Sequence, residues 1–99
     1  MKVMISQPMR DKNNRQIKEE REELVKKLKS KGYEVVDTII SEEAPKDTDE
    51  GIYYLSKSIA FIGNVDAVVF MKGWENARGC QIEHEVARKY GKFIMEEYD

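Results

Sequence analysis

A length of 99 residues, of which 36% are charged and 40% hydrophobic, predicts one domain over residues 1–99 with a modest core that assembly into a homo-oligomer would supplement. The net charge of −2 argues against a nucleic-acid-binding protein, and no apolar run approaches the roughly 18 residues of a membrane span. The single cysteine excludes an internal disulfide and, with no signal peptide at the start of the chain, favours a cytoplasmic location.

The first third of the chain predicts a strand followed by an amphipathic helix. The apolar run Lys2–Ser6 stops before Pro8, since proline cannot continue a central strand. Apolar residues then recur with helical spacing and predict a helix over Asn14–Lys31, with Asn13 or Asn14 as its cap and Gly32 just beyond its end. The apolar stripe of this helix consists of Ile17, Leu24, Val25 and Leu28.

A second strand and a second helix are predicted in the middle of the chain. Tyr33–Val36 is the strand, which Thr38 to Ile40 could extend, and the polar segment Ser41–Glu50 is a loop. The helix ends at Gly63, and its candidate caps are Asp47, Thr48 and Asp49. Its apolar stripe consists of Ile52, Leu55, Ile59 and Ile62. Three aromatic residues off that stripe either flank the core or form a subunit contact, namely Tyr53, Tyr54 and Phe61.

The last third predicts two strands on either side of a third helix. The run Ala67–Met71 has no polar alternation, which is typical of a strand covered on both faces. The helix begins near Ala77 or Arg78 and continues to Tyr90, and Lys92–Met95 forms the last strand before a tail too polar for the core. The inward stripe expected for this helix consists of Gly79, Ile82, Val86, Ala87 and Tyr90.

This alternation predicts an α/β fold with a four-stranded parallel sheet and right-handed crossovers. The expected strand order is 2-1-3-4, a shortened flavodoxin-like, Rossmann-like arrangement with helices on both faces of the sheet. In that order the topological switch lies between strands 1 and 3. The polar junctions Ser6–Asp11 and Gly73–Gly79 would then open into the same crevice.

The second junction has features of an anion site. Gly73 and Gly79 allow a sharp turn and close approach of the backbone to a ligand. Free N–H groups at the start of the third helix favour a phosphate, and Arg78 adds a forked donor. Neither the dinucleotide fingerprint nor a P-loop is present, so the phosphate signal is weak by itself.

Glu83 lies one helical turn after Gly79, beside the inward stripe of the third helix. A partly buried carboxylate near a helix N-terminus can be a nucleophile toward a sugar carbon, as in retaining glycosidases. The alternative is a surface glutamate that interacts with the helix dipole.

The neighbours of Glu83 have simpler interpretations. Glu85 is expected to face outward and pair with Lys89, and Cys80 to be a packing residue. His84 could shuttle a proton, but exposure is the expected state of a lone helical histidine beside two glutamates. Trp74 could stack on a nucleobase or cap the core.

The chain resembles the nucleoside 2-deoxyribosyltransferase-like superfamily, above all its short bacterial and phage members. The resemblance rests on the opening run Val3 to Met9, the strand that begins at Asp66, and the stretch Gly73–Gly79 with Glu83 and Ala87. It extends over essentially the whole chain in order, and the run from Trp74 to Glu83 is its most specific part.

The resemblance implies an enzyme without a metal or cofactor that acts on a nucleoside or nucleoside monophosphate. Its enzymes use a glutamate nucleophile at the position of Glu83, one turn after a small residue, here Gly79. The other implied substrate-binding residues are Ser6, Gln7, Pro8, Met9, Arg10, Ser58, Trp74, Asn76 and Arg78. The enzymes carry an aspartate where this chain has Ser58, so a non-catalytic nucleotide-binding sensor or sequestering module is the alternative.

Overall fold

The computed structural model describes residues 1–38, 40 and 42–98, without the side chains of residues 97 and 98. Over this part of the chain, four strands alternate with three helices. The first half contains β1 (Lys2–Ser6), α1 (Asn14–Ser30) and β2 (Glu34–Val35). The second half contains α2 (Glu50–Ile62), β3 (Ala67–Met71), a 3-10 turn (Trp74–Asn76), α3 (Arg78–Lys89) and β4 (Phe93–Tyr98).

The four strands form one parallel sheet in the order β2-β1-β3-β4. This confirms the predicted fold class and strand order. The two central strands, β1 and β3, pair from Val3 opposite Ala67 to Ser6 opposite Phe70. The carboxyl ends of β1 and β3 therefore lie side by side at one edge of the sheet.

Two apolar clusters cover the two faces of the sheet, because successive strand residues point to opposite faces. On one face, α1 packs through Leu24 and Leu28 against alternate residues of β1 and β3. On the other face, Ile62 at the end of α2 and Ala87 of α3 pack against Met4, Val68 and Phe70. Every residue of β3 is buried, as expected for a strand covered on both sides.

Helix α1 matches its predicted bounds to within one residue. Asn13 is the cap: its side chain accepts from the Gln16 backbone N–H, and the Gln16 side chain accepts from the Asn13 N–H. Gly32 follows the helix with a φ of 89°, the left-handed conformation expected of a glycine that ends a helix. The Tyr33 N–H bonds back to Leu28, so Tyr33 belongs to the helix terminus and β2 is shorter than predicted.

β2 ends before Val36, although the Val36 N–H still donates to the Val3 carbonyl, and the possible extension is not formed at Thr38 or Ile40. Ile39 and Ser41, which belonged to the predicted extension and loop, lie outside the described residues. The loop itself is found at residues 42–49.

The predicted inward stripe of α2 is wrong at Ile52, whereas Leu55 and Ile59 are half-buried. Asp49 caps this helix, but Ile52 is 67% exposed, and of the four stripe residues only Ile62 is buried. The helix joins the core through its last turn, where Phe61 packs against the same cluster as Ile62. Phe61 therefore flanks the core, which was one of the two interpretations left open.

The other two aromatic residues of α2 are half-buried within the chain. The rings of Tyr53 and Tyr54 meet edge to face, with their centroids 5.5 Å apart. The Tyr53 hydroxyl donates a hydrogen bond to Glu42 Oε2 at 2.8 Å. The Tyr54 hydroxyl accepts from the Ala44 N–H.

The predicted inward stripe of α3 is confirmed at Ala87, which is buried, and at Val86, which packs against the core. It is wrong at Gly79, Ile82 and Tyr90, which are exposed, because the helix is turned by about one residue. Tyr90 is 77% exposed and Ile82 is 38% exposed. The buried residues of α3 are Cys80, Glu83 and Ala87, which are spaced three and four apart and form one face.

Strand β4 extends to Tyr98, three residues beyond the predicted end at Met95. An edge strand accommodates this polar segment because one side of it can remain in solvent, and Glu96 is exposed. Asp99, the end of the predicted polar tail, lies outside the described residues. In the part of the chain described, no helix has the length and apolar character needed to cross a membrane.

Candidate functional site

The two polar junctions meet at the carboxyl edge of the sheet, as the strand order predicted. Gly73 follows β3 with a φ of 94°, a conformation that favours glycine. A Cβ atom added to Gly73 would lie 3.8 Å from Cγ of Pro8, so the backbone after β3 passes directly beside the junction after β1.

Glu83 is the buried acidic group at this edge. Its residue is 7% exposed, and the Ser6 hydroxyl donates to Glu83 Oε1 at 2.9 Å. Ser6 is the last residue of β1 and points to the face that α3 covers, because it alternates with Ile5 on the α1 face. The interpretation of Glu83 as a surface glutamate is therefore wrong. The structure brings Ser6 and Glu83 into contact, and their roles in a site stay a prediction.

Burial raises the pKa of Glu83, since the charged form is disfavoured away from water. The Ser6 hydrogen bond and the positive charge of Arg21 both lower this pKa and partly offset the effect of burial. The pKa of Glu83 is thus raised by burial, and one hydroxyl and one nearby cation oppose this effect.

Cys80 lies one turn before Glu83 on the same buried face. Burial raises the pKa of its thiol to about 11, with the negative charge of Glu83 acting in the same direction and Ser6 opposing it. A thiol with this pKa is protonated near neutral pH and is a poor nucleophile. Its predicted role as a packing residue is confirmed.

Gln7 connects the end of β1 to α1. The side chain is buried, and its Nε2 donates to the Ile17 carbonyl at 2.9 Å. Its Oε1 accepts from Arg21 Nη1 at 3.4 Å, and Arg21 Nη2 donates to Thr38 Oγ1 at 2.8 Å. Gln7 is therefore held in one orientation from both ends of its amide.

Sequence reasoning missed Arg21 as a site residue. The signal was present: Arg21 lies four residues after Ile17 and three before Leu24, so it falls on the apolar stripe of α1. A cation on that stripe must reach the sheet edge or a partner, and here it does both.

The remaining predicted binding residues occupy both junctions with different exposure. Pro8 is buried, whereas Met9 is 54% exposed and Arg10 is exposed. Asn76 at the end of the 3-10 turn is exposed, as are Arg78 and Gly79 at the start of α3. Ser58 is half-buried in α2, which packs against α3. Because Ala77 precedes the first turn of α3 and has only a methyl side chain, it cannot cap the N–H groups of that turn.

Trp74 lies in an aromatic cluster. Its ring stacks on that of His84, with ring centroids 4.1 Å apart and an angle of 8° between the ring planes. The centroid of the Phe70 ring lies 5.4 Å from that of Trp74 and 4.9 Å from that of His84. His84 Nε2 is also 2.7 Å from Glu96 Oε1, and the His84 side chain is 17% exposed, so its expected exposure is wrong. These contacts support the packing role of Trp74, and the alternative of stacking on a base stays a prediction. Among the described residues, Trp74 Nε1 is buried without a hydrogen-bond acceptor.

Glu85 faces outward as predicted. Its carboxylate lies 3.7 Å from Lys89 Nζ, and Arg88 donates to it at 2.6 Å. Within the described part of the chain, no cluster of three or more histidine, cysteine or acidic side chains could hold a metal ion.

Residues 1–96 match the family described as a domain of unknown function, DUF4406. The chain belongs to the DUF4406 family. No curated protein sequence matches this DUF4406 chain.

Among solved structures, the DUF4406 chain is similar to the C-terminal catalytic domain of ISC1926 TnpA, an IS607-like serine recombinase. The TM-score is 0.61 at 18% sequence identity, and the match covers 99% of this chain and 70% of that one. At this sequence identity, the similarity between the two structures shows a shared fold and no more. Neither finding names the nucleoside 2-deoxyribosyltransferase-like superfamily, so that resemblance stays a prediction.

Proposed function

We propose that this DUF4406 protein cleaves or transfers the N-glycosidic bond of a nucleoside or nucleoside monophosphate, with Glu83 as the nucleophile. The observation that supports this most is the burial of Glu83 against Ser6 at the carboxyl end of β1. In open parallel sheets this edge, at the switch between β1 and β3, is where ligands bind. The sequence resemblance to nucleoside 2-deoxyribosyltransferases supplies the reaction class.

In the proposed reaction, Ser6 holds Glu83 through Oε1, and the second oxygen, Oε2, attacks C1′ of the sugar. The C1′–N bond breaks through an oxocarbenium-like transition state, and its electron pair goes to the leaving base, which takes a proton from solvent. The product of this step is a glycosyl ester of Glu83. Water or a second base then attacks C1′, releases the carboxylate and gives up a proton.

The residues around Glu83 would hold the rest of the substrate. Ser6 to Arg10 follow β1 and would contact the base and sugar from one side. Trp74, Asn76, Arg78 and Gly79 would contact it from the other, with the α3 N-terminus and Arg78 near the sugar 5′ end or its phosphate. Ser58 of α2 takes the place of the aspartate that positions the reacting groups in the enzymes.

The second candidate function is a non-catalytic nucleotide-binding module on the same crevice. Ser58 favours it, because a serine hydroxyl cannot manage a proton as a carboxylate does near neutral pH. The raised pKa of Glu83 also favours it, since burial lowers the fraction of the nucleophilic form.

Incubation with a panel of nucleosides and 5′-monophosphates, followed by chromatography for free base, tests the enzymatic function. We expect the wild type to release base and Glu83→Gln to release none while remaining folded. Glu85→Gln is the matched control on the same helix, because Glu85 is exposed and paired with Arg88. Turnover by Glu83→Gln at the wild-type rate contradicts the nucleophile assignment.

Thermal shift on the same panel separates binding from turnover, since a ligand that binds the folded state raises its melting temperature. Stabilisation without base release selects the binding module. If no compound either releases base or shifts the melting temperature, both proposed functions are wrong.

A further inference from the structure

Arg21 is a half-buried cation between α1 and the sheet edge. Burial lowers its pKa, and the negative charges of Asp37 and Glu83 raise it. A guanidinium stays protonated in such a place, so it acts as a permanent positive charge. Arg21 also lines a groove of about 410 Å³ between α1 and β2, together with Val25, Val35 and Asp37, from which solvent reaches it.

Two hydrogen bonds of Arg21 go to neutral oxygens. Its Nη1 donates to Gln7 Oε1 at 3.4 Å, and its Nη2 donates to Thr38 Oγ1 at 2.8 Å. Glu83 Oε1 instead accepts from Ser6 at 2.9 Å. Ser6 therefore orients the carboxylate of Glu83, while the positive charge of Arg21 acts first on Asp37 and also on Glu83.

We propose that Arg21 is a positioning residue of the Glu83 site: it fixes Gln7 at the end of β1 and sets a positive charge toward Glu83 without taking up the oxygens of that carboxylate. This inference rests on the proposed nucleophilic role of Glu83. A direct, two-point ion pair would stabilise the carboxylate more strongly, but it would also occupy the oxygen that attacks the sugar. A cation held by Gln7 and Thr38 keeps the nucleophile ionised over a wider pH range and leaves it reactive.

The groups that act on the protonation of Glu83 come from three elements. Ser6 of β1 donates a hydrogen bond, Arg21 of α1 contributes its charge, and Cys80 of α3 is a neighbour whose thiol is neutral near pH 7. Of these groups, Arg21 carries a charge, so removing that charge shifts the pKa of Glu83 in a defined direction. The pKa of Glu83 rises, because an opposite charge favours the ionised form.

Two substitutions separate the charge from the hydrogen bonds. Arg21→Gln can still donate to a neighbouring oxygen but is neutral, whereas Arg21→Lys keeps the charge and loses the forked geometry. Arg15→Gln is the matched control, because Arg15 lies on the exposed side of α1 and pairs with Glu19. Circular dichroism and thermal melting establish that each variant is folded.

The first readout is the titration of the Glu83 carboxyl carbon by ¹³C NMR, with Glu83→Gln to assign the signal. We expect Glu83 to ionise at higher pH in Arg21→Gln and close to the wild-type pH in Arg21→Lys and Arg15→Gln. This measurement needs no substrate, so it tests the role of Arg21 even if the wild type releases no base.

The second readout is the acid limb of the pH profile of kcat/KM for any nucleoside that the wild type cleaves. We expect Arg21→Gln to lose activity several-fold on this limb and to approach the wild type at high pH, where Glu83 is ionised in both proteins. A merely structural role would instead lower activity by the same factor at every pH.

The inference is overturned if Glu83 titrates in Arg21→Gln as in the wild type, or if Arg21→Lys moves the titration as far as Arg21→Gln. A shifted titration without wild-type turnover on any substrate contradicts the proposed reaction and leaves the electrostatic effect of Arg21 on Glu83 in place.

Discussion

At the scale of single residues, the Ser6–Glu83 pair combines two opposing requirements. Glu83 must be withdrawn from water to lie on the packed face of α3, and withdrawal disfavours its charge. One hydroxyl at 2.9 Å and the charge of Arg21 reduce this penalty only in part. A residue of this kind lowers stability, which is common at functional sites.

The raised pKa of Glu83 predicts a pH dependence of stability. The folded protein holds a proton on this carboxyl to higher pH than the unfolded chain, whose ordinary pKa is 4.5. The contribution of Glu83 to stability is therefore fully present below that ordinary pKa and is lost as pH rises through the folded-state pKa. We expect Glu83→Gln, which cannot ionise, to unfold at higher urea concentration than the wild type at about pH 8, with the difference shrinking toward about pH 4.

Glu85 provides a control of opposite sign. A hydrogen bond from Arg88 lowers the pKa of this exposed carboxyl, so its stabilising contribution is present above the ordinary pKa and is lost as pH falls. Glu85→Gln should therefore give at most a small loss near neutral pH that vanishes in acid. If Glu83→Gln shows the same sign as Glu85→Gln, the buried, destabilised carboxylate inferred for Glu83 is contradicted.

At the scale of elements, the turn from β3 into α3 separates two glycines that the sequence grouped together. Gly73 has a positive φ of 94°, where a side chain is strained. Gly79 lies in the first turn of α3 with a helical conformation, and a Cβ atom added there would meet no described atom within 4 Å. Of these two glycines, only Gly73 has a backbone conformation that favours glycine.

Paired substitutions follow from this difference. Gly73→Ala should destabilise the protein by about 1–3 kcal/mol through backbone strain. Gly79→Ala should stabilise it by roughly 0.5–1 kcal/mol, because alanine favours the helix, yet weaken any nucleotide whose phosphate approaches the α3 N-terminus. Urea unfolding measures the first effect and ligand-induced thermal shift the second. Unchanged nucleotide binding in Gly79→Ala excludes close contact of the ligand with this turn.

Element boundaries were predictable where the sequence had a strong local cause. The bounds of β3 followed from its uninterrupted apolar run, and those of α1 from the Asn13 cap and Gly32. The buried face of α3 was not predictable from hydropathy. Hydropathy favours Ile82 over Glu83, whereas the fold supplies Ser6 from a strand 77 positions away to accept Glu83 on the buried face.

The same limit explains the rest of the site. Sequence alone does not distinguish Arg21 from the other charges of α1, because its partners Gln7 and Thr38 come from two other segments. His84 seemed exposed because its partners, Phe70 and Glu96, are distant in sequence. Contacts of this kind depend on how elements are placed, and a single sequence gives periodicity within elements only.

At the scale of the whole molecule, strand order decides the location of the site. The crossovers that place α1 on one face and α2 and α3 on the other also bring the ends of β1 and β3 together. The order was predictable because few topologies satisfy these rules for four alternating strands. The molecule-scale property that the sequence left open is assembly, since the identity of a partner surface depends on which apolar residues the fold leaves outside.

The fold leaves apolar residues exposed beside one edge of the sheet. β4 is an edge strand, its first residue Phe93 is 68% exposed, and Tyr90 just before it is 77% exposed. An edge strand flanked by exposed aromatic rings is a template for pairing with another chain. We expect the homo-oligomer anticipated from the length of the chain to be a two-fold dimer in which the β4 edges of two copies meet.

Sedimentation velocity over a range of concentrations tests this expectation. The double substitution Tyr90→Ser with Phe93→Ser should shift the protein toward monomer, because it removes apolar area from both sides of a symmetric contact. Ile52→Ser is the control, since Ile52 is also exposed, at 67%, but lies at the start of α2. A wild type that stays monomeric at every concentration contradicts the dimer, and equal dissociation of Ile52→Ser would assign the contact to α2 instead of β4.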